Sequence, residues 1–270
     1  MDTPMTQADR MVTIERRGRI AIVRFDRKDR ANAMSVEVLR QLTEAARSFE
    51  NDHETSAVIL TGSPTLFTNG ADLRDPERAK QGGLSLAERR IKLQAGGRLC
   101  RAWEEIEPLT IVAIEGWCVG GGTALAAACD LRVASTAAQF YVPEIERGMN
   151  LQWNAVPRLV HLVGPAKTKR LIVLSEKIDA ARASEWGLVD ELAEPGRALE
   201  RALELAERAA TMPPVQLRMI KQSVNAAALA LDRAVSHADF DQFALAVTSG
   251  DYQEGVQSFL EKRPPRYTGA

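Results

Sequence analysis

The chain has 270 residues, of which 45% are apolar and 26% are charged, and its formal net charge is −1. This composition is ordinary for a globular protein, and the length fits one large domain or a domain with a small appendage. The balanced charge argues against a nucleic-acid partner, and no run approaches the roughly 18 apolar residues of a membrane-spanning helix, so no membrane partner is expected.

The N-terminal segment and the cysteines predict the compartment. Residues 1–10 lack an apolar core and are typical of a polar leader, not of a signal peptide. Cys100, Cys118 and Cys129 have no metal-ligand spacing, and their odd number leaves one without a disulfide partner. We therefore expect a cytoplasmic protein with free, mostly buried thiols and no metal site.

The N-terminal part of the chain predicts a hairpin, a helix and a strand. Residues 12–15 and Ile20–Phe25 have strand-like patterns, and residues 16–18 between them suit a turn. Ser35 suits the N-cap of a helix, and the apolar residues 57–60 suit a strand. The apolar face of the predicted helix consists of Leu39, Leu42, Ala46 and Phe49.

Two glycine-bearing turns each follow a strand-like apolar run and precede a predicted helix. The first turn spans residues 67–73 after the run 57–60, and the second spans residues 116–122 after the run 111–114. Such a turn leaves backbone N–H groups unpaired and pointing outward. Two of these turns side by side can bind one oxygen atom that becomes negative during a reaction, so the pattern predicts an enzyme that acts on a carbonyl compound.

Helices and a further strand surround the second turn. A helical pattern starts at about Ser85 and continues through Trp103 until Pro108 stops it. Small residues at 123–129 predict a closely packed helix, and residues 130–134 predict another strand. This alternation of strands and helices indicates a wound α/β core in which consecutive units stack.

From Gly164 onward the pattern is mostly helical. Pro165 suits a first helical turn, and the composition changes near residue 195. We therefore divide the chain into an α/β core, residues 11–195, and a helical C-terminal region, residues 196–270. Further helices are predicted at residues 199–210, 215–231, 234–247 and about 251–262.

Several short stretches occur in an order and at spacings that a known family shares. They are Arg30-Ala31-Asn32-Ala33-Met34, Leu60-Thr61-Gly62, residues 67–73, residues 116–122, Ala138-Gln139-Phe140, Pro143-Glu144 and Phe259-Leu260-Glu261-Lys262-Arg263. In these stretches the chain resembles the enoyl-CoA hydratase/isomerase (crotonase) family, over roughly residues 11–265. The resemblance implies an α/β fold, a spiral of ββα units followed by a helical C-terminal region for trimer contacts.

The same resemblance implies an acyl-CoA thioester substrate and no separate cofactor, because coenzyme A is part of the substrate. By position, the oxyanion-hole donors are the backbone N–H groups of Ala71 and Gly121. Arg74 corresponds to a basic residue near the coenzyme phosphates. Phe259 and Lys262 correspond to tail positions that reach a neighbouring subunit's coenzyme site. The implied assembly is a homotrimer or a dimer of trimers.

Residues beside the turns and beyond Glu144 complete the predicted substrate-binding set. Gln152 and Asn154 could orient the thioester or a polar acyl group, or could equally fill space left by lost glycines. Trp153 would narrow the acyl pocket or serve as a core aromatic residue. The rest of the set consists of Asn69, Gly70, Asp72 and Gly120, of which Asp72 also suits bonding to the local backbone.

The number of carboxylates distinguishes the possible reactions. Hydratases of the family use two glutamates, whose positions correspond to Ala124 and Glu144 here. Alanine cannot transfer a proton, whereas one base is enough to take a proton from C2 of a 3-enoyl thioester and return it to C4. Burial among apolar residues should raise the pKa of Glu144 toward the useful range. Glu146 is a candidate substitute base, although its position favours the surface.

Two alternatives to double-bond isomerisation stay open. Glu144 could hydrate an enoyl-CoA by itself, with a water molecule held by Gln152. The chain could also bind acyl-CoA without catalysis, which the alanine at position 124 favours and the glutamate at position 144 opposes.

Overall fold

A computed structural model describes residues 10–29, 31–79 and 83–270 of the chain. Over these residues the chain forms two β-sheets with α-helices packed around them. The strands are β1 (Val12–Arg17), β2 (Ile20–Phe25), β3 (Ala57–Thr61), β4 (Leu109–Ile114), β5 (Trp117–Val119), β6 (Leu131–Ser135), β7 (Gln139–Tyr141), β8 (Ile178–Asp179) and β9 (Glu191–Ala193). The helices are α1 (Val36–Arg47), α2 (Pro76–Ala79), α3 (Leu86–Leu93), α4 (Ala95–Glu104), α5 (Gly121–Ala127), α6 (Ala155–Ile172), α7 (Ala180–Trp186), α8 (Ala198–Ala210), α9 (Pro214–Ala228), α10 (Asp232–Ser236), α11 (Asp239–Ala246) and α12 (Gly250–Glu261).

The larger sheet has the strand order β1-β2-β3-β4-β6-β9. β1 and β2 form the predicted antiparallel hairpin, in which Arg17 pairs with Ile20. Gly18 has a φ of 57°, the left-handed conformation that a two-residue hairpin turn favours. Arg16 and Arg17, which were predicted to form the turn, therefore belong to β1. Every later pair of strands in this sheet is parallel.

A smaller sheet joins successive turns of the chain. β5 pairs in parallel with β7, and β8 pairs with β7 in the antiparallel direction. Two isolated bridges extend this layer, because Thr68 pairs with Cys118 and Met34 pairs with Ala71. After β2, β3, β4 and β6 of the larger sheet, the chain thus passes through a short extended stretch before its next helix. This repeat confirms the predicted spiral of ββα units.

Helices and the smaller sheet cover both faces of the larger sheet. One face packs against α8, where small side chains let the helix lie close to the strands. The other face contributes to the main core together with α1, α4 and α5. Burial on both faces explains why β3 and β4 are continuous apolar runs. The alanines of α8 in this contact are Ala198, Ala202, Ala206 and Ala209.

Several predicted helix boundaries agree with the structure. The Ser35 side chain accepts the N–H of Val38 and caps α1. Within α6 the chain leaves helical geometry at Gly164, where φ is 79° and ψ is 165°, so a new helical segment starts at Pro165 as predicted. The predicted helix over residues 234–247 is wrong as a single element, because it consists of α10 and α11.

The shortest strands were not predicted, since two or three residues carry too little periodicity. These strands are β5, β7, β8 and β9. Most of the predicted polar leader, residues 1–9, lies outside the described residues, as does Arg30 of the first matching stretch. Among the helices described above, none combines the length and the apolar character that crossing a bilayer requires.

Candidate active site

The first glycine turn follows β3 and pairs with the connection between β2 and α1. The N–H of Met34 donates to the carbonyl of Gly70 (2.8 Å), and the N–H of Asp72 donates to the carbonyl of Met34 (3.0 Å). The Ala71 N–H lies between these two bonds and has no acceptor among the described residues. These backbone hydrogen bonds thus hold the Ala71 amide in place and leave its N–H available for a ligand.

Asn32 connects this turn to the rest of the fold and is fully buried. Its Nδ2 donates to the carbonyls of Phe67 (2.7 Å) and Phe25 (3.2 Å), and its Oδ1 accepts the N–H of Arg27 (3.1 Å). Its own carbonyl accepts the hydroxyl of Thr68 (2.7 Å). Sequence reasoning assigned no role to Asn32, although a lone asparagine between two alanines just before a helix was an available signal.

The second glycine turn lies beside the first and leads into α5. Thr68 donates its N–H to the carbonyl of Trp117 (2.9 Å) and accepts the N–H of Val119 (3.0 Å), which joins the two turns. Gly121 is the first residue of α5, and its N–H has no acceptor in the described part of the chain. The helix dipole adds to the positive character of this amide.

Glu144 follows β7 and starts the 3-10 helix Ile145–Arg147. Its carboxylate lies directly against the backbone of Gly120, where an added Cβ would come within 2.3 Å of Oε1. Gly120 also has a φ of 53°, so both its conformation and this contact require glycine.

The Glu144 carboxyl group is shielded from water, although the residue as a whole is partly exposed. Its Oε2 is inaccessible and has no hydrogen-bond partner among the described residues. Burial raises the pKa of this carboxyl from its ordinary 4.5 to about 7, against a smaller lowering by its own backbone and by Arg147. Such a group can accept and return a proton near neutral pH, as the sequence predicted.

A cavity of about 50 Å³ brings these groups together, with Ala71, Gly121 and Glu144 in its lining. Two larger cavities share residues with this central cavity. One, of about 290 Å³, contains Asn69, Gly70, Asp72, Arg74, Gly120 and Phe259 as well as Ala71 and Glu144. The other, of about 570 Å³, contains Arg74, Gln152 and Trp153 as well as Ala71.

Three of the predicted site residues bond to the protein itself, lie at the rim of a cavity or lie outside the three cavities. The Asp72 carboxylate binds Arg27 (2.6 Å) and accepts the N–H of Arg74 (2.9 Å), so it supports the local backbone as expected. Arg74 is exposed at the rim of both larger cavities. Lys262 is exposed just beyond α12 and is not among the residues that line the three cavities.

The C-terminal helix α12 packs on the segment that carries Glu144. An added Cβ at Gly255 would lie 2.5 Å from the carbonyl carbon of Arg147, so the two backbones are in direct contact. The Arg147 guanidinium lies 4.2 Å from the centre of the Phe259 ring. Phe259 therefore reaches the cavity of its own chain, and its contact with a neighbouring subunit stays a prediction.

Other titratable candidates are occupied or inert. Glu146 is exposed and accepts the hydroxyl of Tyr141. His161 lies 2.9 Å from the largely buried side chain of Asp232. Cys118 is buried, and burial raises the pKa of its thiol to about 12, so it is not a nucleophile at neutral pH.

Comparison with known proteins identifies the family of this arrangement. A family model described as enoyl-CoA hydratase/isomerase matches residues 15–270. The chain is 31% identical to the short-chain-enoyl-CoA hydratase of Clostridium acetobutylicum, covering 93% of this chain and 95% of that protein. It is 30% identical to the crotonyl-CoA hydratase of Syntrophomonas wolfei, covering 95% and 97%. A crystal structure of an enoyl-CoA hydratase/isomerase from Pseudoalteromonas atlantica superposes with a TM-score of 0.86 at 25% identity, covering 96% of this chain and 100% of that one.

We expect Glu144→Gln to stabilise the fold much more at pH 8 than at pH 5. Because the pKa of Glu144 is higher in the folded chain (about 7) than its ordinary 4.5, the native state holds this proton more tightly than the unfolded state does. The resulting stabilisation is complete below the ordinary pKa and is lost as the pH rises through the folded value. Ionisation of the buried group then costs up to about 3 kcal/mol, which a neutral amide avoids.

Urea unfolding of the wild type and of Glu144→Gln at both pH values measures this difference. Glu146→Gln is the matched control, since it makes the same change two positions along the chain on an exposed side chain. A stability difference for Glu144→Gln that is the same at both pH values would contradict the raised pKa.

We expect the isosteric change Asn32→Asp to destabilise the chain, and more at pH 8 than at pH 5. A carboxylate would face two backbone carbonyls without a proton to donate, at a cost of about 1–3 kcal/mol for each unsatisfied group. At pH 5 a protonated carboxyl can still donate one bond. Thermal unfolding measures the loss, with the exposed Asn51 changed to aspartate as the control. Equal melting temperatures for the two variants would show that Asn32 does not hold the turn.

Proposed function

The chain belongs to the enoyl-CoA hydratase/isomerase family and is an enzyme of that type, and we propose that it moves the double bond of a 3-enoyl-CoA thioester to the 2-position. The observation that carries this proposal is a single carboxylate beside two free backbone amides. Glu144 is the one acidic side chain among the described residues that line the central cavity of about 50 Å³. Position 124, where a second carboxylate would be needed for hydration, holds a fully buried alanine.

The proposed reaction uses Glu144 first as a base and then as an acid. Its carboxylate takes a proton from C2, and the electron pair moves onto the thioester oxygen, which becomes negative. The N–H groups of Ala71 and Gly121 stabilise this oxygen, and one such donor typically contributes about 3–4 kcal/mol. The electrons then return to form the C2–C3 double bond, while the C3–C4 electrons take the proton from Glu144 at C4. Atoms balance without water.

The larger cavities suggest how the thioester lies. Arg74, exposed at the rim of the cavity of about 290 Å³, suits the phosphates of coenzyme A, with Phe259 lining the same cavity. Lys262 lies exposed just beyond α12 and stays a proposed contact for the coenzyme. Asn69, Gly70 and Gly120 would contact the pantetheine arm. Coenzyme A enters as part of the substrate, and the proposed reaction uses no other cofactor.

Hydration is the second candidate, because the relatives from Clostridium acetobutylicum and Syntrophomonas wolfei are both named as hydratases. In this alternative Glu144 would activate a water molecule and Gln152, which lines the same central cavity, would hold it. The absence of a carboxylate at position 124 argues for isomerisation. In hydration, Glu144 alone would have to take a proton from the water molecule and also deliver a proton to C2.

We expect Glu144→Gln to lower kcat on a 3-enoyl-CoA by about 10²–10⁴-fold, the usual contribution of a general base, while thioester binding survives. Turnover followed by mass spectrometry and binding followed by calorimetry measure the two effects. Glu146→Gln, two positions along the chain, is the control and should keep its rate. A Glu144→Gln enzyme that isomerises at the wild-type rate would refute the role of this residue.

Isotopes distinguish the candidate reactions in the same assay. Isomerisation in heavy water puts deuterium into the acyl chain and leaves ¹⁸O-labelled water out of the product. Hydration of a 2-enoyl-CoA puts ¹⁸O into a 3-hydroxyacyl product. Thioester binding with neither product nor deuterium uptake at C2 would instead identify an acyl-CoA-binding protein without catalysis.

We also propose that the helical C-terminal region, residues 196–270, forms a homotrimer or a dimer of trimers. Large apolar side chains of α9 are exposed in the single chain, which a partner subunit would cover. Two of them, Ile220 and Val224, also line a groove of about 900 Å³ between α9 and the α5–α6 side of the fold. The exposed fractions are 60% for Val215, 60% for Met219, 63% for Ile220 and 59% for Val224.

The double change Met219→Glu with Val224→Glu should dissociate this assembly to monomers, because two carboxylates would be buried without partners. Sedimentation equilibrium measures the mass of the complex. Leu86→Glu is the control, because Leu86 is 78% exposed but lies on α3, away from α9. Wild-type mass for the double variant would place the subunit contact elsewhere.

A further inference from the structure

The indole ring of Trp153 lies between two glycines from different helices. An added Cβ at Gly96 of α4 would lie 1.9 Å from Cε2 and 2.0 Å from Nε1 of this ring. An added Cβ at Gly121 of α5 would lie 2.5 Å from Cζ3 and 2.6 Å from Cη2. Neither glycine needs a left-handed backbone, so the space for the indole is the physical reason for glycine at both positions.

The backbone that presents this ring is strained. Trp153 and Asn154 have φ values of 69° and 57°, in the left-handed region that bulky residues avoid. Two consecutive residues in this conformation persist only when the surroundings hold them there. Strain of this kind concentrates at sites where a side chain must take one defined position.

Charged side chains from three helices hold the turn of Trp153 and Asn154. The carboxylate of Asp239, on α11, accepts the N–H of Asn154 (3.0 Å) and also bonds to the backbone of Trp153. Arg158, on α6, donates to the carbonyls of Trp153 (3.1 Å) and Asn154 (2.9 Å). Glu104, on α4, pairs with Arg158 at 2.6 Å. Both the donors and the acceptors of the strained turn are therefore satisfied.

The ring of Trp153 borders two cavities. Gly121 lines the central cavity of about 50 Å³ and Gly96 lines the cavity of about 570 Å³, while Trp153, which touches both glycines, lines both cavities. The central cavity, of about 50 Å³, is much smaller than the cavity of about 570 Å³. Because the indole lies against Gly121, an acyl chain whose carbonyl oxygen binds the N–H of Gly121 would lie close to the ring.

We propose that Trp153 limits the acyl group of the substrate to a short chain, because its ring lies against Gly121, and that Asp239 and Arg158 are positioning residues that hold the ring in this place. The inference rests on the proposed function in that it needs an acyl thioester bound at Ala71 and Gly121. The larger cavity beyond the ring is then space that a longer acyl chain reaches only when the indole is absent.

The test compares acyl lengths in the wild type and in Trp153→Gly. Glycine accepts a φ of 69° without strain, so this variant removes the ring without straining the backbone of the turn. Saturated C4, C8 and C12 acyl-CoA thioesters, measured by calorimetry, report binding without any need for turnover. We expect the wild type to bind C4 at least tenfold more tightly than C12, and Trp153→Gly to lose or reverse this preference.

Trp186→Leu is the control for the loss of a large buried aromatic residue. Trp186 is 5% exposed, close to the 8% of Trp153, and lies at the end of α7. This variant should keep the wild-type length preference even if its melting temperature falls.

Two further variants test the contact and the clamp separately. Gly96→Ala should lower the melting temperature of the wild type but not that of Trp153→Gly. Only the wild type contains the indole ring with which the added Cβ would clash. Asp239→Ala should shift the length preference in the same direction as Trp153→Gly. In the Trp153→Gly background the same change should add no further shift, which a merely structural role would not predict.

The outcomes separate this inference from the function on which it rests. If wild type and Trp153→Gly both bind acyl-CoA with the same length preference, the ring does not limit the acyl group and only this inference fails. If the wild type binds no acyl-CoA of any length, the proposed function fails and the inference fails with it.

Discussion

The site depends on close contacts that only glycine permits. An added Cβ at Gly70 would lie 2.9 Å from the carbonyl oxygen of Val119, which shows how tightly the first turn lies against the second. At Gly120 the corresponding atom would meet the carboxylate of Glu144, and at Gly121 it would meet the ring of Trp153. Because these positions lack side chains, two unpaired backbone amides and one carboxyl group line the same small cavity.

The buried carboxyl of Glu144 links stability to the proposed chemistry. Without a partner for Oε2, the fold holds this group at a raised pKa, which disfavours its ionised form and so weakens the folded state at higher pH. The same desolvation prepares it to exchange a proton with carbon near neutral pH. α12 packs against Ile145–Arg147, so a C-terminal helix contacts the segment that follows Glu144.

Local patterns marked the two glycine turns, because strand, turn and helix signals adjoin each other there, and long-range contacts explain what was missed. Glu144 was identified through the resemblance to the family. The role of Asn32 was not predicted, because its hydrogen bond to Phe67 joins residues 35 positions apart. The role of Asp239 was not predicted for the same reason, because its hydrogen bond to Asn154 spans 85 positions. The strained turn at Trp153 also carries no glycine that would have marked it.

The sequence by itself determined the longer strands and helices and the positions of the two turns, and its resemblance to the family marked Glu144 and the alanine at position 124. These features follow from residue type and short spacing, which act within a few residues along the chain. Only the tertiary structure decided that the Glu144 carboxyl is shielded from water, that Asn32 bonds to the first turn and that the indole of Trp153 lies between Gly96 and Gly121. Burial and steric contact depend on which distant segments meet, and that is decided by packing in three dimensions.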